Sequence, residues 1–396
     1  MPRFIKKTIA VVLAMMCIMN MVALIACKSD DAENGKNEST TSPDAVATTE
    51  GTTLPSATTA PRVNGYKKTV YKLSEITGEI NILGRCAVTD NGLNVDWSAS
   101  GFEFVADCKD FVKATVTSSH NCRLNVYVDG GELRAIDVTA GTKSYVIASG
   151  LEKGVHEFRV VKSSMVEYAT TALAVTVESL EIYGELGEAE AREHLIEFVG
   201  DSITCGVGAV AGTTEAYSEL SYAYLTAGKL NADYSLVSVS GIGAGKSTER
   251  HGNTLMGDVY PLTNYYRSKT EKYSTERKAD LVVINLNTND KGSFAQDQKD
   301  AFLAKVEELI GQVKSIHGED VKIIWVMGMM SPISSGYLDL WTAQYFASLG
   351  GESAGYYYLV ASETNRQGGA SHPIASAHEK MANQLEAFII DKGILN

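Results

Sequence analysis

The segment Gly200-Asp201-Ser202-Ile203-Thr204 follows directly on the apolar run Leu195 to Val199, which reads as a buried strand. A serine at the carboxyl end of a strand, just entering a turn, is held with its hydroxyl exposed. A nucleophile needs that exposure, and the serine's own N–H can face a developing oxyanion. The same tripeptide also fits a turn in which Ser202 or Asp201 caps a helix, and in isolation that reading prevails. Metal chemistry finds less support. His120, His156, His194, His251 and His317 sit in predicted loops or on solvated faces with no partner at ligand spacing, and the cysteines fit no zinc pattern. His378 falls on the inner stripe of the last predicted helix and is expected to be packed.

The 396 residues suffice for about two domains, and the two parts of the chain differ in pattern. From Val70 to Gly184 short alternating runs are broken by turn signals. Leu93 to Trp97 and Leu124 to Val128 alternate, and Asp129-Gly130-Gly131 reads as a hairpin turn before Leu133 to Val138. Val155 to Val161 and Leu173 to Ile182 continue the series, which predicts a β-sandwich or jelly roll. Beyond a polar connector, Glu185 to Glu193, apolar strands alternate with amphipathic helices. Strands are predicted at Leu195 to Val199, Tyr234 to Val239, Leu281 to Leu286 and Val321 to Met327, and Tyr356-Tyr357-Tyr358 reads as another. Helices are predicted at Tyr217 to Leu230, at Asp297 to Ile316 (Phe302, Val306, Leu309, Ile310 and Val313 on one face) and at the C-terminus. Such alternation implies a parallel sheet covered on both sides, with sites at the carboxyl ends of its strands.

Ahead of both parts, Arg3, Lys6 and Lys7 precede an apolar stretch from Ile9 to Ile25, and Leu24-Ile25-Ala26-Cys27 resembles a bacterial lipobox. That order predicts a lipoprotein signal over 1–26 with Cys27 as the lipidated residue; a plain signal peptide or signal anchor is the alternative. Residues 27–65 are dominated by Thr, Ser, Ala, Asp, Asn and Pro, too polar to offset the entropy of ordering, and are expected to act as a tether. A sandwich over 66–185 and an α/β domain over 190–396 follow. The net charge of −13 argues against a nucleic-acid surface, leaving membrane contact to the lipid anchor. Cys86, Cys108, Cys122 and Cys205 remain in the folded part; a disulfide among the first three and buried single thiols are both open readings.

Four segments in order carry a family resemblance. Glu197-Phe198-Val199-Gly200-Asp201-Ser202-Ile203-Thr204-Cys205-Gly206, Ser240-Gly241-Ile242-Gly243, Ile284-Asn285-Leu286-Asn287-Thr288-Asn289-Asp290 and Ser371-His372-Pro373 resemble the blocks of the SGNH hydrolase superfamily. With the preceding sandwich, and segments such as Gly84-Arg85 and Asp96 to Phe104, the layout from about residue 70 to 392 is similar to carbohydrate esterase family 2, the acetyl-xylan esterase-like enzymes. The resemblance implies an α/β SGNH (flavodoxin-like three-layer) domain behind an all-β jelly roll. It implies Ser202 as nucleophile and His372 as its base. The oxyanion donors would be the N–H groups of Ser202 and Gly241 and the side chain of Asn289. No metal or cofactor is required, and the partner is an acetylated polysaccharide or oligosaccharide. Asp201 and Asp290 are expected to brace turns. Trp97 and Trp325 are expected in the core, whereas the ring of Trp341, shortly before His372, could stack on a pyranose.

Two positions depart from the family pattern. Asn287 stands where most members have Gly. Gly369 and Ala370 stand where an Asp usually orients the histidine, so a backbone carbonyl at Nδ1 is expected to hold His372 in a Ser–His dyad, with Glu363 as an alternative orienter. The competing functions are an SGNH lipase or thioesterase with another acyl group, and a carbohydrate-binding lipoprotein whose hydrolase has decayed. The protein is expected outside the cytoplasm, anchored on a bacterial surface or secreted.

Overall fold

The computed structural model describes residues 65–395 except 169–170, 291–292, 331–336 and 364. The signal segment, Cys27 and the tether up to residue 64 lie outside the described residues. Nine strands of the first domain make one antiparallel sheet. The predicted hairpin is present: Asp129 and Gly130 both have positive φ (52° and 66°), and the Gly131 N–H donates to the Val128 carbonyl at 2.9 Å, the signature of a type I′ turn. Two strands are far longer than the alternation suggests, Gly101–Ser118 and Gly141–Lys162. Their pairing shifts register at Cys108, Asp110 and Val112, and Asp110 has a φ of 65°. Bulges of this kind bend a strand and interrupt its side-chain period. Phe102, Phe104, Phe158, Leu124 and Ile182 fill the enclosed core. Cys86, Cys108, Cys122 and Cys205 are free thiols.

The second domain holds five parallel strands: β1 (Leu195–Gly200), β2 (Asp233–Ser238), β3 (Leu281–Asn285), β4 (Lys322–Met327) and β5 (Tyr356–Val360), in the order β2-β1-β3-β4-β5. Among the described residues six α-helices accompany them: α1 (Ser202–Cys205), α2 (Tyr222–Lys229), α3 (Met256–Val259), α4 (Lys299–His317), α5 (Tyr337–Ser348) and α6 (Ala375–Asp391). Successive strand residues point to opposite faces. Phe198 and Val283 therefore pack with Tyr222 of α2 and Met381 and Leu385 of α6. Their neighbours Val199 and Ile284 pack with Phe302, Val306 and Leu309 of α4 and Trp341 of α5. This is the three-layer arrangement the pattern implies, with Trp97 and Trp325 fully buried as expected.

The two domains share buried charge. Glu197, in the middle of β1, accepts hydrogen bonds from Arg85 Nε (3.0 Å) and Nη2 (2.8 Å) of the first domain, Tyr260 Oη (2.7 Å), Ser235 Oγ (3.0 Å) and His317 Nε2 (3.0 Å). His317 is thus buried, correcting its expected place on a solvated face. It ends α4 against this cluster, and its Nδ1 accepts from the Ala279 N–H at 3.1 Å. Burial alone would raise the Glu197 carboxyl, but Arg85 and His317 hold it well below the usual carboxylate range. A second cluster joins Glu103 and Arg159 of the first domain to Arg192 and Asp233.

Candidate active site

Ser202 begins α1 directly beyond β1. Asp201 caps that turn, accepting from the Ile203 N–H at 2.9 Å. Capping and presentation of the Ser202 hydroxyl, alternatives in the sequence, are combined here: Asp201 holds the turn and Ser202 directs its hydroxyl to a histidine. The Ser202 Oγ lies 2.8 Å from His372 Nε2, although the two residues are 170 positions apart.

The loop before α6 fixes the imidazole. Nδ1 lies 3.2 Å from both the Gly369 and Ala370 carbonyls. Carbonyls only accept, so Nδ1 carries the proton and Nε2 presents its lone pair to Ser202. Glu363 instead pairs with Lys380 at 3.1 Å. To bring those carbonyls round, Ala370 and Ser371 both take left-handed φ (51° and 61°), a conformation side chains disfavour. Main-chain bonds to the loop after Ser202 support it: Gly369 N–H to the Gly208 carbonyl at 3.0 Å and Ala375 N–H to the Ala209 carbonyl at 2.9 Å. A Cβ on Gly369 would fall 1.2 Å from the Thr213 carbonyl, so only glycine permits this approach. Burial, with a contribution from Arg366, lowers the His372 pKa below its usual value, keeping the ring neutral, and so free to accept a proton, near pH 7.

Gly241 follows β2 with a φ of 86°. Asn289 lies beyond β3. Its amide donates to Asp201 Oδ2 (3.0 Å) and to the Ile242 carbonyl (2.7 Å), so both hydrogens are engaged in the resting site. The amide therefore ties the Ser202 turn to the Gly241 loop. Asp290 accepts from the Ala244, Gly245 and Lys246 N–H groups and fixes the same loop. Burial, opposed by the Ile203 N–H and reinforced by Asp290, pushes the Asp201 carboxyl up to about 7. Asn287 has a φ of 81°, which explains the glycine preference at this position; asparagine is among the few other residues that tolerate it. Its amide donates to Asp339 Oδ1 of α5 at 3.1 Å.

Trp341 is not an open sugar platform. It is 6% exposed and packs between Tyr337 and Phe302, because α5 turns that face onto the core. His378 is packed as expected, its Nδ1 accepting from the Tyr222 N–H at 3.2 Å. His251, expected in a loop or on a solvated face, is half-buried and hydrogen-bonded to the Gly241 loop. Its only signal was a place ten residues after Gly241, which is too weak to act on.

A parallel α/β sheet bearing a Ser–His pair at its strand ends, behind an all-β domain, defines the fold of the SGNH hydrolases with a jelly-roll partner. Comparison with known proteins narrows this class. Residues 198–358 match the GDSL-like Lipase/Acylhydrolase family, and 82–179 match the Carbohydrate esterase 2 N-terminal family. The chain is 30% identical over 330 residues to the cellulase/esterase CelE of Acetivibrio thermocellus, covering 78% of this chain and 39% of that one. It is 26% identical over 219 residues to an acetylxylan esterase / glucomannan deacetylase of Cellvibrio japonicus, covering 51% and 60%. The chain thus spans less than two thirds of the length of either relative. A solved family two carbohydrate esterase from Clostridium thermocellum, in complex with cellohexaose, superposes with a TM-score of 0.68 at 27% identity, covering 80% of this chain and 100% of that one. An acetyl xylan esterase from the rumen bacterium Butyrivibrio proteoclasticus shares the fold, with a TM-score of 0.74 at 19% identity over 83% of this chain and 100% of that one. The chain has the two-domain fold of the family 2 carbohydrate esterases.

Proposed function

We propose that this protein is a serine esterase that removes acetyl groups from O-acetylated carbohydrate such as xylan or mannan. The observation that carries the reading is the 2.8 Å contact between the Ser202 hydroxyl and a neutral, carbonyl-oriented His372 at the carboxyl end of the sheet. Ser202 Oγ attacks the acetyl carbonyl as His372 Nε2 takes its proton. The N–H groups of Ser202 and Gly241 stabilise the oxyanion, and the Asn289 amide joins them by exchanging its bond to Ile242, while Asp201 keeps the other hydrogen. Donors of this kind commonly tighten only in the transition state. The tetrahedral intermediate expels the sugar oxygen, which takes the proton from His372. Water, deprotonated by the same nitrogen, then attacks the acetyl–Ser202 ester and releases acetate.

The names of the relatives support acetyl and carbohydrate specificity. The test is acetate release from acetylated xylan and glucomannan compared with hydrolysis of butyryl and longer acyl esters. Acetate release should dominate; a preference for long acyl chains would replace this reading with a lipase. The pH dependence follows from His372. Its neutral form is the active one and its pKa is lowered, so kcat/KM should hold through neutrality and fall only below the usual histidine range. A rate already halved at pH 7 would contradict this.

The order of basic residues, apolar stretch and lipobox supports a further reading, that the mature chain begins at a lipidated Cys27 and is held on the outer side of a bacterial membrane. Mass spectrometry of the mature N-terminus from native cells should show a diacylglyceryl cysteine, lost in Cys27→Ala. An unmodified N-terminus would remove the anchor from the account.

A further inference from the structure

The peptide joining Ser240 to Gly241 has two ends. Its N–H is the donor assigned above to the oxyanion. Its carbonyl oxygen, on the opposite side of the same planar unit, lies 2.7 Å from His251 Nε2. A carbonyl has no proton to give, so Nε2 is the donor and Nδ1 is left facing the Tyr266 hydroxyl at 3.5 Å. His251 closes the short 3-10 segment Glu249–His251, which lies against this loop. From the same segment the Thr248 N–H (2.9 Å) and Oγ1 (3.1 Å) both donate to the Gly241 carbonyl. The neighbouring Arg250 is paired with Glu167, a fully buried carboxylate of the first domain. A Cβ at Gly241 would fall 2.6 Å from Thr248 Oγ1 and 3.4 Å from His251 Nε2, so the segment sits directly on the glycine.

We propose that His251 is a positioning residue for the oxyanion hole: it hydrogen-bonds the Ser240 carbonyl, fixes the plane of the Ser240–Gly241 peptide and polarises it so that the Gly241 N–H is aimed and strengthened. The physical basis is twofold. In a trans peptide the carbonyl and N–H point oppositely, so anchoring one directs the other. Hydrogen bonds in series also reinforce one another, which makes the N–H a better donor when charge appears on the substrate. The Glu167–Arg250 pair gives the first domain a part in this, holding the segment that carries His251. The inference rests on the oxyanion role of Gly241.

The experiment uses the full chain with p-nitrophenyl acetate as substrate and phenylboronic acid as a serine-directed mimic of the tetrahedral state. His251→Met keeps the bulk and removes the donor; His251→Gln keeps a donor on a neutral side chain. His251→Met should lower kcat by about tenfold, a fraction of the loss seen when an oxyanion donor is removed outright, with KM within about twofold. Boronate inhibition should weaken in the same proportion, and His251→Gln should recover most of both. The proposal is overturned if His251→Met keeps wild-type kcat, if kcat falls while boronate binding does not, or if His251→Gln is as impaired as His251→Met. His251→Ala replaces the Met variant should that one fail to fold. Ser202→Ala is the control that separates the two levels. Activity persisting in Ser202→Ala removes the active-site reading itself, whereas an inactive Ser202→Ala beside a fully active His251→Met removes only the role of His251.

Discussion

Ser202→Ala should reduce acetate release by about 10⁴-fold or more while the protein melts as the wild type does. The side chain loses one oxygen, and that oxygen supports no strand, cap or core contact; its described partner is His372 Nε2. The fold therefore has little to lose, whereas the reaction loses the atom that forms the acyl-enzyme. His372 and the donors around Gly241 remain, and they give the variant a small rate through water attacking a bound ester. Steady-state acetate release and labelling by a serine-reactive phosphonate read the two effects separately. A variant that keeps activity within about tenfold of wild type would contradict the nucleophile role of Ser202 and with it this reading of the site, since covalent catalysis accounts for far more than that.

The largest effect on stability is expected at the domain junction. Glu197→Gln should cost about 3–5 kcal/mol, the usual consequence of leaving one partner of a buried ion pair without its counter-charge. Arg85 and Glu197 are 0% and 1% exposed at the side chain, so water cannot compensate either one. Glutamine also forces an N–H₂ group among Arg85, Tyr260, Ser235 and His317, all of which now donate to the carboxylate. Replacing both members with apolar residues would recover only part of the loss, because Tyr260, Ser235 and His317 would still lack their acceptor. Urea unfolding followed by fluorescence measures the change, and a loss under 1 kcal/mol would contradict the account. Because the folded carboxyl sits below its unfolded value, its stabilisation is present above the ordinary carboxylate range and declines on acidification.

The sequence pointed to Ser202 and His372, which the fold brings into contact, through local signals. Ser202 follows a run whose pattern marks a strand, predicted at Leu195 to Val199 and formed at Leu195–Gly200, and His372 stands just before the last helix, Ala375–Asp391. The face of α4 is a clear case: Phe302, Val306, Leu309, Ile310 and Val313 are all buried. What stayed hidden was pairing across distance. Arg85 and Glu197 are 112 positions apart, Arg250 and Glu167 are 83 apart, and nothing near either member points to the other. The long strands of the first domain were missed for a different reason. At Cys108 to Val112 the register slips, so no single side-chain period runs the length of the bent strand. Trp341 was misjudged because closeness to His372 in the chain says nothing about the direction in which α5 turns its ring.

His372 takes its orientation from oxygens of its own main chain, two and three residues back. A carboxylate in that job can be deleted by one codon change and found by scanning for an acidic residue. A peptide oxygen can be neither deleted nor found that way, because every residue has one. Inheritance of this orientation therefore depends on the curl of the segment and on the small residues that allow it, and relatives lacking the usual acid should be judged by whether they keep that curl.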